Sequence, residues 1–383
     1  MAPLPAPETE ARRILELARK DRPAARAVLR ELPIDLQVAA ICELPVAARA
    51  RLIELLPNPE RVIPRLPEAE LCFTAKAVGL ADAGWILEHA TNEQIQACFD
   101  LDAWRADALD PAALESWFDA VADAGEETLL RGVHAIDPEI LYLFLRGRLR
   151  VEMKPNDEGW QPEPGSQSIE GRFFFGAIHG GDDLETISAL LGRLFESDYW
   201  LYFRMMQAIV WEDAAENEEF ALRWRRGRLE DLGFPPIDEA IGVYAHLREE
   251  KWAEVPEGPP ALVAEDFHLP VYPPKLPVGL EASHLLFRAA AELDSDERSA
   301  LFFAFISLAN HVAVADRMPL GDAESIPTAI EKAARVASIG LEHLARVRAE
   351  SPASLLRRVA VAHLFRVGAN LERTGREPQD APR

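Results

Sequence analysis

Apolar positions in the first hundred residues come in short bursts, broken at near-even intervals by a Leu-Pro pair. The pair stands at Leu32-Pro33, Leu44-Pro45, Leu56-Pro57 and Leu66-Pro67. Between pairs the bursts have the helical period. In VAARARLIELL, Leu52, Leu55 and Leu56 share one face at i, i+3 and i+4. Proline lacks the amide hydrogen that a helix interior needs, but it fits the first turn. Each Leu-Pro is therefore expected to end one helix and open the next. Helices of about 8 to 10 residues are unstable alone in water. They must stack and share a core, as solenoid repeats do. AELCFTAKAVGL, DAGWILEHA and NEQIQACFDL continue the pattern, with start signals at Ala81-Asp82 and Thr91-Asn92. At Asp110-Pro111 and Asp137-Pro138 an N-cap residue precedes a first-turn proline, the signature of two further helices.

The pattern then changes twice. Residues 151–172 are rich in Pro, Gly and polar types and read as a linker. RFFFGAI follows and is the one stretch with β character, near residues 172–178. Helical periodicity returns through a middle region, 173–252. Residues 253–279 are too rich in proline for a regular helix and read as a second linker. Four amphipathic stretches over 280–372 predict an antiparallel helical bundle, and 373–383 a flexible tail. The expected fold is all-α: a short-helix solenoid over 1–150, then the middle region and the C-terminal bundle, with at most that minor β element.

LPVAARARLIELLPNPERVIPRLPEAEL resembles the short-helix superhelix in the intracellular N-terminal domain of bacterial magnesium transporters. The flagellar motor switch protein has a similar module. The resemblance covers roughly residues 28–105. It implies a helical solenoid used as a docking or regulatory surface. No transmembrane region follows it here, so it does not imply magnesium transport. RWRRGRLEDLGFPPIDEAIGVYAHL, with the helices after it, resembles an uncharacterised bacterial family of unknown function. That likeness assigns no activity.

Charge narrows the partners. Sixty-four Asp and Glu against 41 Lys and Arg give a formal net charge of −23. Such a field repels phosphate backbones and anionic lipid, and favours basic partners. Nucleic acid is not an expected partner; another protein is. Cys42, Cys72 and Cys98 form no CxxC and read as small buried apolar residues in a reducing compartment. The first residues show no basic segment followed by an apolar run, so no secretory signal is expected. The most apolar stretches are LYFRMMQAIVW, with Arg204, and LFFAFISLANHVAVAD, with Asn310, His311 and Asp316. Both read as buried helices of a soluble, cytoplasmic protein rather than membrane spans.

Few residues offer chemistry. Asn310 and His311 are polar residues in an otherwise apolar helix. They either hydrogen-bond neighbouring helices and fix register, or form a ligand or proton-relay site with Asp316. His343 and His363 lie on the next two helices, and with His311 they are candidate metal ligands. Glu281 and His284 form an ExxH, the spacing that di-iron bundles use, but the second ExxH, Glu265 with His268, falls in the proline-rich linker. His246 faces Glu249 and Glu250 as an ordinary surface pairing. Arg223, Arg225, Arg226 and Arg228 around Trp224 read as a helix-surface ion-pair network or an anion patch. His179–Asp183, HGGDD, reads as a turn with Asp182 as a helix cap, or as a cation ligand set. No P-loop, GxGxxG, HExxH or GxSxG occurs, and no cofactor is expected. The leading expectation is a non-enzymatic scaffold or adaptor. A ligand or metal site in the C-terminal bundle is the alternative, and an anion or nucleic-acid role for the arginines the third.

Overall fold

The computed structural model describes residues 7–179, 184–252 and 283–374. Among them the chain is all-α, with twenty α-helices and two small two-stranded sheets. It divides into two compact units. One comprises Ala11–Val38 and Ala47–Arg226; the other the described parts of Met1–Glu10, Ala39–Val46 and Gly227–Arg383. The linker over 253–279, the carboxylates Asp182 and Asp183, Glu265 with His268, Glu281 and the end of the tail lie outside the described residues.

The Leu-Pro pairs do what their chemistry requires. Leu32 closes the helix Arg22–Glu31 through its N–H on the Leu29 carbonyl, and Pro33 accepts the first bonds of the helix Ile34–Cys42. Pro67 is the N-cap of the helix Glu68–Val78. Gln94 ties one such junction to its neighbour. Thr91 and Gln94 form a capping box at the start of Asn92–Asp102. The Gln94 amide then donates to the carbonyls of Ile63 and Leu66, at 2.9 and 2.7 Å. The Ile63 carbonyl also accepts the Leu66 N–H that closes the short Ile63–Arg65 turn, so Gln94 joins the end of that turn to the next helix.

Further along this unit the core turns aromatic. Phe118, on the helix Pro111–Asp123, stacks on Phe144 of Pro138–Arg146 at 3.9 Å between ring centres, and meets Phe99 edge-on. RFFFGAI forms the strand Phe173–Ala177. It pairs antiparallel with Leu149–Met153, with Val151 opposite Phe175. Phe173 and Phe175 point into the core on alternate positions. The partner strand comes from residues that read as helix end and linker. LRVEM alternates apolar and charged residues throughout, but the run is only five residues long and follows a helix directly, so its pairing depends on the phenylalanines opposite.

In the other unit the long helix Ser325–Arg348 packs against Val361–Thr374 and Ser295–Ala315. Ala349, in the left-handed conformation, ends the first of these, with the Glu350 N–H reaching back to the Ala345 carbonyl. Among the described residues one helix, Ser295–Ala315, is long and apolar enough to cross a membrane. Here its Phe305, Leu308, Ala309 and Val312 are buried in the bundle.

Candidate functional site

The bundle residues flagged in the sequence each serve a different neighbour. Asn310 is 2% exposed, and its amide donates to the Gly233 carbonyl at 3.0 Å. His311 bonds through Nδ1 to the Ser307 carbonyl one turn back, and reaches Glu239 Oε1 at 3.4 Å through Nε2. Asp316 accepts from the Tyr244 hydroxyl at 3.0 Å and from Lys332 Nζ at 2.6 Å. Burial raises the Tyr244 pKa. Burial opposes the charge on Lys332, but Asp316 and Tyr244 outweigh it, so the Lys332 pKa is raised. His343 is buried edge-on to Trp252, at 6.1 Å between ring centres. Burial, and then Arg346, lower its pKa. His363 sits half-buried on the helix Val361–Thr374. His284 bonds Glu331 at 3.0 Å. Among the described residues no three His, Cys, Asp or Glu side chains come together as a metal ion would require. The sequence reading passed over Asn370, which is buried and donates to the Ala245 carbonyl while accepting from the Leu247 N–H.

The arginine run does not act as one patch. Arg225 is buried, donating to the carbonyls of Asp100 at 2.6 Å and Ala106 at 3.2 Å, and its guanidinium lies over the Trp104 ring. Arg226 pairs with Asp107 at 3.0 Å, and exposed Arg223 stays near Glu219 on its own helix. Arg228, one turn beyond Arg225, is half-buried.

A different surface stands out in the same unit as Arg225. The helix Tyr199–Trp211 starts at Asp198, whose carboxylate accepts from the Leu201 N–H at 3.0 Å. That bond, helped by His134, holds the Asp198 carboxyl below the usual carboxylate range. The far end is held as firmly: the Tyr142 hydroxyl donates to the Glu212 carbonyl and Arg146 to that of Ile209, at 3.0 and 3.1 Å. Tyr202, Met205, Met206 and Ile209 face inward, and Tyr202 also donates to Glu170. The opposite face runs Trp200, Arg204, Gln207, Trp211. Positions 200 and 211 are eleven residues apart, so three helical turns return them to one side, roughly 16 Å apart along the axis. Trp200 is 76% exposed and Trp211 54%. LYFRMMQAIVW, which reads from its composition as a buried helix, thus buries one face and leaves Trp211 in water, as it does Trp200 just before it. The mainly apolar composition hides the split; the signal for it is the helical spacing of Trp200, Arg204, Gln207 and Trp211.

The rim of this face is acidic. Glu196, Glu212 and Asp213 are exposed beside it. Arg204, on the face itself, is paired with Glu139 at 3.2 Å, and Arg193 pairs with Glu196 at the rim. A pair of clamped, solvated tryptophans in an acidic frame suits binding to another surface. Nothing along it supplies a nucleophile beside a base.

The profile of one protein family, described as a family of unknown function (DUF6178), matches residues 26–376. Neither a search of curated proteins nor one of solved structures finds a match.

Proposed function

The chain belongs to that family of unknown function, and on this premise we propose that it is a helical adaptor whose partner is a protein with a basic-rimmed apolar groove. One observation carries the reading: Trp200 and Trp211 are exposed on one face of a helix held at both ends. Large exposed aromatics cost solvation and, in a protein, mark binding surfaces when they occur together. Tryptophan and arginine are also the types that dominate interface energetics. The helix needs no reordering to bind, which lowers the entropic cost of docking. The acidic frame and the net charge of −23 select a cationic partner and speed its approach.

The test compares variants on the full chain. Immobilised wild type and a Trp200→Ser/Trp211→Ser double variant are exposed to extract from the source cells, with Trp224→Ser as a surface control. Trp224 is 57% exposed on another helix. The expected result is a basic protein that the wild type and the control retain, that the double variant loses, and that rising salt releases. Identical captured proteins for all three chains sink the reading. Concentration-dependent self-association that the double variant abolishes would make the partner a second copy and overturn the basic-partner claim.

A further inference from the structure

We propose that the unit carrying these tryptophans also holds a binding site for a small organic cation, in a cleft at the start of the helix Pro111–Asp123. The cleft encloses about 470 Å³, within the range of small-molecule sites. Its apolar surface comes from Leu109, Leu114, Leu143 and Phe144. Phe144 is fixed there by stacking on Phe118. Its ionisable groups are Glu115, Arg148, His179 and Glu218.

The charges decide the ligand's sign. Arg148 lies over the Phe144 ring, 4.2 Å from its centre, and pairs with Glu115 at 2.6 Å. Its charge is already answered, and an anion entering the cleft would have to displace Glu115. Glu218 is different. Its Oε1 accepts the Leu109 N–H at 3.0 Å, and its Oε2 meets no donor among the described residues. The half-buried carboxylate is held in position at no cost to the ligand. Seven residues on, on the same face of the same helix, Arg225 anchors that helix to the Asp100 and Ala106 carbonyls. The last turn of Pro138–Arg146 also borders the cleft through Leu143, Phe144 and Gly147, and a helix C-terminus favours positive charge. A primary ammonium on Glu218, with an aryl or short alkyl body over Leu114, Leu143 and Phe144, satisfies each group at once. None of this depends on the tryptophan face.

The experiment is calorimetric titration of the full chain with phenethylammonium chloride, beside its neutral and anionic analogues, phenethyl alcohol and 3-phenylpropionate. The amine is expected to bind at millimolar concentration or tighter, and the alcohol about tenfold more weakly, for loss of one charge-assisted hydrogen bond. The carboxylate should not bind. Glu218→Gln keeps an oxygen for the Leu109 N–H, so it should leave the circular dichroism spectrum and melting midpoint unchanged while weakening the amine by a similar factor. Ala112→Trp, on the exposed cleft wall, should block binding without unfolding the chain. The proposal is overturned if the wild type does not bind the amine, if alcohol or carboxylate binds as well, or if either variant titrates like the wild type.

Discussion

Gly340 and Gly368 bring two helices into backbone contact. A Cβ on Gly340 would lie 1.9 Å from the Leu364 carbonyl oxygen, and one on Gly368 2.0 Å from that of Val336. Each glycine sits against a carbonyl on the other helix, four residues before the opposing glycine. The contact is between main chains, so no side chain can turn away to make room.

Alanine at either position should therefore destabilise. In an exposed helix Gly→Ala gains about 1 kcal/mol. Here the added methyl forces Ser325–Arg348 and Val361–Thr374 apart, and overpacking costs about 1–3 kcal/mol or more. Gly340→Ala and Gly368→Ala should each lower the thermal midpoint. The double variant should cost less than the sum, because both open the same contact. A midpoint at or above wild type refutes the close approach.

Arg225 should matter far more than its neighbour in the run. Arg225→Met keeps the stem but strands the buried Asp100 carbonyl and gives up the bond to exposed Ala106, for an expected loss of about 2 kcal/mol in urea unfolding. Arg223→Met removes an exposed pairing with Glu219 and a contact over the Phe220 ring, and should stay within about 1 kcal/mol. Equal effects would contradict the inward placement of Arg225.

His343 makes stability sensitive to acid. Its pKa in the folded chain is lowered from 6.5, by burial and then by Arg346. Well above pH 6.5 neither state holds the proton, and the residue adds no slope. As pH falls below 6.5 the unfolded chain takes the proton first, so stability drops until the lower folded pKa has been passed. His343→Phe should remove this part of the loss. The wild type should lose more unfolding free energy than the variant between about pH 7 and about pH 5, and parallel profiles would refute it.

The three free cysteines should be silent in the folded chain. Cys42, Cys72 and Cys98 are all buried. Burial, with the neighbouring Cys72 thiol, pushes the Cys98 thiol well above its ordinary value. The thiolate is the reactive form. A chromogenic disulfide reagent should find almost no thiol in native buffer and three in denaturant. A fast-reacting native thiol would mean that one of these helices opens readily.

Local chemistry marks most element boundaries directly. Leu-Pro at Leu32-Pro33 and Leu66-Pro67, the Thr91 cap and Asp110-Pro111 all stop or start helices where their backbone restrictions require it. These effects act within a turn, so one chain segment contains all the information. The strand Leu149–Met153 alternates apolar and charged residues, but five residues after a helix are a faint signal, and the partner that makes them a strand, Phe173–Ala177, lies about twenty residues further on.

The candidate surfaces divide the same way. The sequence by itself determined an all-helical, strongly acidic chain built from short elements that cannot stand alone, since composition and period are properties of the string. Tertiary structure alone decided that Arg225 turns inward while Arg223 stays in water, that Trp200 and Trp211 face solvent, and that Glu218 meets Leu109 in a cleft. The reason is physical: a side chain's burial is fixed by whatever packs against its helix, and those neighbours lie up to a hundred residues away or more.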